Sequence, residues 1–170
     1  MNTAIMQPYF LPYIGYWQLI KSSDNFVIFD DVNFKKKGFI NRNSFLVGEG
    51  LHQFVLETNG ASQNKFINEI KVGNNSLKLL KTIHLNYKKA PYHKNVMPIL
   101  EDIFYQTEKN LAKFITYSLK KICFYLEIET NFKYSSEIKK NNDLKSQDKI
   151  LDICEKLNTT NYINPINGQN

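Results

Sequence analysis

The sequence has no long hydrophobic run and very little cysteine. No stretch of its 170 residues approaches the roughly 20 consecutive apolar residues that cross a bilayer. The N-terminal residues also lack the basic segment and apolar core of a signal peptide. We therefore expect a cytoplasmic protein without a transmembrane segment. The two cysteines, Cys123 and Cys154, fall in helical patterns far from any CxxC spacing, which predicts reduced core thiols and no zinc site.

Motifs of several common enzyme classes are also missing. Neither the GxGxxG pattern nor the Walker A pattern occurs, so the sequence supports no standard dinucleotide or P-loop site. The three histidines, His52, His84 and His93, form no HExxH pair, and we expect no metal site. Because there is no GxSxG elbow and no cysteine with a positioned partner, covalent acyl catalysis has no visible nucleophile.

Arginine is nearly absent although the chain is basic. Lysine and arginine number 22 against 16 acidic residues, which gives a net charge of +6, yet Arg42 is the only arginine. The lysines scatter along the chain, whereas a nucleic-acid surface more often combines arginines with clustered lysines and stacking aromatics. Nucleic acid is therefore not the favoured partner. The single arginine, between Asn41 and Asn43, is the more informative residue.

Hydrophobic patterning predicts an α/β fold with a mainly parallel sheet and a helical C-terminal half. An apolar run ends at about Gln7, where Pro8 and Pro12 exclude both a helix and a central strand. A short helix over residues 15–21 and a second strand over 26–29 complete a β, proline loop, α, β unit. This order favours parallel strands joined by a crossover.

The rest of the chain contains further predicted elements. Strands are expected over residues 44–47, 52–56, 68–72, 131–134 and 161–163. Helical spacing marks a helix with Ser76 as its N-cap, and then helices over residues 96–103, 111–126 and 146–157.

Three polar segments follow predicted strands and are candidates for a ligand site. They are residues 7–16 after the first strand, Asp30 and Asp31 after the second, and residues 164–168 after the last. In open α/β sheets, ligands bind beyond the carboxyl ends of the strands. If the three strands are neighbours, the three segments share one rim of the sheet.

The first two segments offer different chemistry. Backbone N–H groups near Gly15 and Tyr16, at the start of the predicted helix, could hold a phosphate or carboxylate, and the alternative is an ordinary turn glycine. Asp30 and Asp31 should point to opposite faces of an extended segment. One of them could then act as a general base or orient a ligand hydroxyl, and the alternative is solvation of a strand end.

The segment around Arg42 is a further candidate. Arg42 offers a planar fork for a carboxylate or phosphate, while Asn41 and Asn43 supply donors and acceptors for a sugar or an amide. The alternative for Arg42 is a structural ion pair with Asp30 or Asp31.

Aromatic residues and one histidine complete the set that the residues themselves suggest. Tyr9, Tyr13 and Tyr16 would suit stacking on a sugar or base, and packing in the core or rim is the alternative. His84 lies in the first long predicted helix, where a general-base role and a structural, hydrogen-bonded role both stay open.

The sequence resembles the WbqC-like family along nearly its whole length. The resemblance rests on Asp24, on Lys35 and on residues 6–16, 26–32, 41–43, 87–92 and 162–168. It implies one WbqC-like domain over residues 1–170. The family's C-terminal segment is expected to be missing, either because the product is naturally short or because it is truncated.

The resemblance also implies a function. Members of the family are associated with O-antigen and related surface polysaccharides, which implies transfer of glycine or another amino acid to an amino sugar of a nucleotide-sugar precursor. One of the two aspartates would accept the amine proton while an asparagine such as Asn164 holds the acyl oxygen. ATP is a candidate cofactor by fold analogy. Gln7, Lys35, Asn164 and Gly168 join the candidate substrate-binding residues.

Two functions of other classes stay open at this point. One is a non-catalytic module that binds a sugar nucleotide, another anionic small molecule or a biosynthetic enzyme. The other is a nucleic-acid-binding protein, which rests on net charge alone.

Overall fold

The computed structural model describes residues 1–165. Within these residues the chain forms eight strands and five α-helices. The strands are β1 (Asn2–Met6), β2 (Asn25–Ile28), β3 (Arg42–Val47), β4 (Gly50–Val55), β5 (Thr58–Asn59), β6 (Lys71–Val72), β7 (Asn131–Tyr134) and β8 (Asn161–Tyr162). The helices are α1 (Ile14–Lys21), α2 (Ser76–Tyr87), α3 (His93–Tyr105), α4 (Leu111–Tyr125) and α5 (Ser146–Lys156).

The predicted N-terminal β, proline loop, α, β unit is confirmed. β1 ends directly before Gln7, since Pro8 and Pro12 have no N–H to donate to a sheet. α1 begins two residues after Pro12 and buries Tyr16 and Trp17 on its inner face. β2 then pairs with β1 in parallel. The predicted fold class, α/β with a parallel sheet and a helical second half, is confirmed with it.

Two later elements differ from the prediction. The strand expected over residues 68–72 is a 3₁₀ turn, Ile67–Glu69, followed by the two-residue strand β6. The Glu69 carboxylate accepts the Phe66 backbone N–H at 2.6 Å, which favours the turn. Helix α2 begins at Ser76, so Asn75 and not Ser76 occupies the N-cap position. The predicted strand was wrong because a local side-chain bond competes with regular strand pairing.

The chain divides into two compact units. Unit 1 contains residues 1–8, residues 12–31 and the chain from Cys123 onward, whereas unit 2 contains Tyr9–Leu11 and Val32–Ile122. The three residues Tyr9–Leu11 therefore belong to unit 2 although the segments on either side belong to unit 1. The single domain over the whole chain stays a prediction.

Unit 1 is built on a four-stranded parallel sheet in the order β7-β2-β1-β8. All four residues of β2 are buried, as is typical of a strand in the middle of a parallel sheet. Ile5 of β1 and Val27 of β2 pack with Ile153 of α5. These contacts hold the sheet against α5.

Unit 2 contains the antiparallel hairpin β3-β4, the small sheet β5-β6 and helices α2 and α3. Its core surrounds Phe10, which is fully buried. The Phe10 ring centroid lies 6.2 Å from that of Phe54, 5.6 Å from that of Phe104 and 5.7 Å from that of Phe114. One aromatic side chain thus anchors Tyr9–Leu11 in the core of unit 2.

The structure agrees with the sequence on membrane-spanning segments and describes both cysteines. No helix within residues 1–165 is long and apolar enough to cross a membrane. Cys123 and Cys154 are both free thiols, in α4 and α5. Burial raises the pKa of the Cys123 thiol to about 11. That thiol is therefore protonated at neutral pH, when it is a weak nucleophile.

Candidate functional site

The carboxyl edge of the parallel sheet in unit 1 collects the polar segments that follow its strands. Gln7 follows β1, Asp30 and Asp31 come two and three residues after β2, and Asn164 comes two residues after β8. β7 leads directly into a 3₁₀ turn, Ser135–Glu137. Since all four strands are parallel, these segments leave the sheet at the same edge.

Asp30 is buried against the turn that follows β7. One of its carboxylate oxygens accepts the backbone N–H of Ser136 at 3.0 Å, and the other accepts the Ser136 hydroxyl at 2.7 Å. Asp30 is only 3% exposed. The contact joins the carboxyl ends of β2 and β7.

Asp31 pairs with two lysines. Its Oδ2 lies 2.7 Å from Lys140 Nζ and 3.0 Å from Lys149 Nζ. Lys149 Nζ also donates to the Asp31 carbonyl at 2.8 Å, and Lys140 Nζ donates to the Ser135 carbonyl. We call these four residues the Asp31 cluster. Its lysine side chains are 1% and 11% exposed, so the charges are nearly closed off from solvent.

Two polar atoms of the Asp31 cluster, Asp31 Oδ1 and Ser135 Oγ, are buried and make no hydrogen bond within residues 1–165. Burial opposes ionisation of Asp31, but the neighbouring side chains of Lys140, Ser135 and Lys149 together outweigh it and hold the pKa of the carboxyl below its usual range. The carboxylate is therefore ionised at neutral pH. An unpaired buried oxygen is costly, and both atoms have almost no accessible surface, so a ligand would reach them only if the surrounding side chains moved.

Sequence reasoning missed both lysines of the Asp31 cluster. Lys149 lies one helical turn before the fully buried Ile153 on α5, so both occupy the same face of the helix. A lysine within an apolar stripe was the signal that could have revealed it. Lys140 gives no such signal, because it stands in a polar segment with no helical or strand spacing.

Aromatic side chains hold the proline loop at the start of α1. The Tyr16 hydroxyl donates to the Gln7 carbonyl at 2.8 Å, and Trp17 Nε1 donates to the Pro12 carbonyl at 3.1 Å. Burial raises the pKa of Tyr16, so its hydroxyl remains a donor. The buried position of Tyr16 fits the packing alternative.

The first turn of α1 brings Tyr13 and Gly15 together. A Cβ added at Gly15 would come within 2.5 Å of Tyr13 Cε2, so the Tyr13 ring lies directly against the glycine. The Tyr16 backbone N–H donates to the Tyr13 carbonyl at 3.1 Å and is already used by the turn. Tyr13 itself is 56% exposed. Anion binding at Gly15 and ligand stacking on Tyr13 stay predictions.

The other described candidates belong to unit 2. They are Tyr9, Lys35, Asn41, Arg42, Asn43 and His84. Arg42 opens β3 opposite Val55 of β4, and the His84 ring centroid on α2 lies 5.0 Å from that of His93. Gly168 lies outside the described residues. The sequence also suggests that the proline loop after Gln7, the two aspartates and Arg42 line one ligand-binding hollow. Because these candidates fall in two units, this shared hollow stays a prediction.

The two asparagines beside Arg42 hold backbone groups. Asn41 Nδ2 donates to the Leu56 carbonyl at 2.8 Å, and Asn43 Nδ2 donates to the Leu11 carbonyl. Leu11 has a φ of 47°, a left-handed conformation that residues other than glycine rarely adopt. Asn43 thus stabilises a strained residue that precedes Pro12. Ligand binding by either amide stays a prediction.

Comparison with known proteins identifies the family. The model of the WbqC-like protein family matches residues 7–170. The chain belongs to this family. It is also similar to the uncharacterized protein Rv1507c of Mycobacterium tuberculosis, with 25% identity over 166 residues that cover 95% of this chain and 71% of that protein. No solved structure matches the chain significantly.

The Asp31 cluster of this WbqC-like chain combines a carboxylate of lowered pKa with two lysines whose side chains are nearly buried. A general base works best when its pKa lies near the operating pH, whereas the pKa of Asp31 is lowered. An ammonium group has three donors, and the hydrogen bonds of each lysine within residues 1–165 use two. These bonds leave one N–H of each lysine unused, and Lys149 Nζ also lies 5.5 Å from the centroid of the Phe29 ring. No group of three His, Cys, Asp or Glu side chains placed to hold a metal ion occurs in the described part of the chain.

The contact between Asn43 and Leu11 can be tested in the WbqC-like chain by Asn43→Asp. The substitution keeps the shape of the side chain but removes the N–H that donates to the carbonyl of Leu11, a residue with a strained backbone. We therefore expect the free energy of unfolding to fall by about 1–3 kcal/mol. Urea unfolding followed by circular dichroism measures the change. Asn86→Asp is the matched control, because Asn86 Nδ2 donates to the Thr82 carbonyl on the exposed side of α2. Equal losses in the two variants would contradict the role of Asn43.

Proposed function

We propose that this protein binds an anionic nucleotide-sugar at the carboxyl edge of the unit 1 sheet and acts in the biosynthesis of surface polysaccharide such as O-antigen. The observation that carries the binding proposal is the Asp31 cluster. Two buried lysines there contact one carboxylate at the edge where open α/β sheets bind ligands. Membership of the WbqC-like family supports the biosynthetic role.

The charge of the Asp31 cluster favours an anion. Within the Asp31 cluster, two ammonium groups face one carboxylate in a region of low solvent exposure, and the Asp30 carboxylate lies one residue away. A diphosphate oxygen beside Lys149 would accept a hydrogen bond from the ammonium N–H that Asp31 does not use.

For the reaction, we propose transfer of glycine or another amino acid to the amino group of the sugar. A C–N bond forms between the amine and the acyl carbon, the bond to the activating group breaks, and the amine proton passes to a base. Asp30 is the better candidate for that base, because the side chains that lower the pKa of Asp31 also weaken its affinity for a proton. ATP is the candidate source of activation.

A second function is favoured by one observation. Both oxygens of Asp30 accept hydrogen bonds from Ser136, and Asp31 is engaged by two lysines. Carboxylates occupied in this way suit a module that binds the nucleotide-sugar without catalysis. Turnover of a UDP-amino sugar with glycine and ATP, followed by mass spectrometry, would identify the enzyme. Saturable binding without turnover would identify the binding module.

Lys149→Met tests the binding proposal. The variant removes one charge while Lys140 still neutralises Asp31, and we expect the affinity for a UDP-amino sugar to fall about 10- to 100-fold, the worth of a charged hydrogen bond. Isothermal titration calorimetry measures the affinity. Lys156→Met is the matched control, because Lys156 lies on the same helix with a side chain that is 46% exposed. Equal affinities of the two variants, or no saturable binding by the unmodified protein, would refute the proposed site.

Arg42→Ala tests whether the unit 2 candidates belong to the same site. Loss of nucleotide-sugar binding in Arg42→Ala would support the shared hollow, and unchanged binding would contradict it. Titration with a short DNA duplex tests the nucleic-acid alternative, which predicts strongly salt-dependent binding.

A further inference from the structure

Lysines are spread along the chain, but acidic residues are missing from one segment of unit 2. Residues 70–100 contain no Asp or Glu and six lysines, which are Lys71, Lys78, Lys81, Lys88, Lys89 and Lys94. The rest of the chain has 16 basic and 16 acidic residues, so this segment accounts for the whole net charge of +6. All six lysines are exposed, and none makes an ion pair within residues 1–165. The segment therefore attracts anions, and the Asp31 cluster does not use it.

Helix α2 presents part of this charge together with apolar side chains. Four exposed residues at helical spacing share one side of the helix, and we call them the exposed α2 face: Leu77, Lys81, Leu85 and Lys88. Lys88 is the C-cap and keeps helical backbone angles. Leu77 is 51% exposed and Leu85 is 54% exposed, whereas Leu80 and Ile83 are buried on the other side. The exposed α2 face thus combines positive charge with apolar surface that the core of unit 2 does not cover.

The composition of this surface distinguishes between anionic partners. Protein interfaces are enriched in arginine and depleted in lysine, and nucleic-acid surfaces more often include arginine. Residues 70–100 contain no arginine. A lipid surface needs no fixed donor geometry, because lysines attract its anionic headgroups as point charges while apolar side chains enter the interface. Tyr92, which is 70% exposed shortly after α2, adds an aromatic side chain of the kind enriched at membrane interfaces.

We propose that the exposed α2 face binds the surface of a bilayer that contains anionic phospholipids. The long stems of Lys81 and Lys88 let their ammonium groups reach the lipid phosphates while Leu77 and Leu85 enter between the headgroups. Salt weakens such binding because it screens the charges. The proposal does not depend on nucleotide-sugar binding at the Asp31 cluster, so either one can fail without the other.

Vesicle flotation tests the proposal. With vesicles made of phosphatidylcholine and phosphatidylglycerol in equal parts, the protein should float with the lipid at low salt. With vesicles of phosphatidylcholine alone, we expect binding to be at least about tenfold weaker, since the lysines then meet no net negative charge. Raising the salt to about 0.5 M should release the protein from the anionic vesicles.

Two double variants separate the charges from the apolar side chains. Lys81→Gln combined with Lys88→Gln should weaken binding about 30-fold, because each lysine near an anionic membrane contributes about fivefold. Leu77→Ser combined with Leu85→Ser keeps every charge and should weaken binding about tenfold, because less apolar surface leaves water. All four side chains are exposed, and far-ultraviolet circular dichroism checks that the variants are folded.

The matched control removes two charges elsewhere. Lys21→Gln combined with Lys145→Gln replaces exposed lysines outside residues 70–100 and should weaken vesicle binding less than about threefold. No flotation at low salt, or equal losses in this control and in the Lys81 and Lys88 variant, would overturn the proposal. Binding of a short DNA duplex or of polyglutamate without vesicle binding would overturn it in favour of a nucleic acid or an acidic protein. Full vesicle binding by the Leu77 and Leu85 variant would overturn the insertion of the leucines.

Discussion

Replacing Phe10 with alanine is expected to lower the free energy of unfolding by about 3–5 kcal/mol, a large part of the stability of a typical domain. Phe10 is fully buried, and its ring contacts those of Phe54, Phe104 and Phe114. Truncation removes the apolar area of one ring and leaves a cavity among three rigid neighbours. Urea unfolding followed by far-ultraviolet circular dichroism measures the loss.

The matched control for Phe10→Ala is Phe39→Ala. Phe39 lies in the same unit and its ring centroid is 5.7 Å from that of Tyr9, but the residue is 66% exposed. We expect Phe39→Ala to cost less than about 1 kcal/mol, as is usual for surface substitutions. Similar losses in the two variants would show that Phe10 does not anchor Tyr9–Leu11 in unit 2.

The sequence predicted the elements whose signals are local. Pro8 and Pro12 predicted where β1 ends, and the apolar run before Asp30 predicted β2. The helices α2 to α5 followed from apolar residues at helical spacing. The prediction of a strand over residues 68–72 was wrong, because the Glu69 carboxylate accepts the backbone N–H of Phe66, three residues earlier, and closes a turn.

The Asp31 cluster could not be predicted in the same way. Asp31 was singled out by its place after a strand, but Lys149 is 118 residues away in sequence. No short-range pattern connects a carboxylate with a lysine at that separation. Only the pairing of β2 with β7 and the packing of α5 on the sheet bring the charges together.

The asparagines beside Arg42 illustrate the opposite difficulty. An amide side chain can bind a ligand or a backbone group, and the residue type is the same in both cases. Asn41 and Asn43 hold the carbonyls of Leu56 and Leu11, which a single sequence cannot reveal. Residue chemistry therefore indicated where polar groups gather, while tertiary contacts determine what each one holds.

Asp31→Asn is expected to lower the free energy of unfolding by about 3 kcal/mol or more, because it leaves two buried ammonium groups without their counter-charge. Urea unfolding at neutral pH measures the loss. The pH dependence gives a second readout. The side chains of Lys140, Ser135 and Lys149 hold the folded-state pKa of Asp31 below its value in the unfolded chain, which is about 3.9. The stabilisation by the carboxylate is thus complete above about pH 4 and is lost as the pH falls through the folded-state pKa.

Asp143→Asn is the matched control for Asp31→Asn, because Asp143 is exposed. It should change the free energy of unfolding at neutral pH by less than about 0.5 kcal/mol. Because Asp31 is still present, this control should lose stability in acid as the unmodified protein does. In Asp31→Asn the contribution of the carboxylate disappears, so the difference in stability from the unmodified protein should shrink as the pH falls below about 4. A difference that stays constant between pH 7 and pH 3 would mean that the ion pairs of Asp31 with the two lysines contribute nothing to the fold.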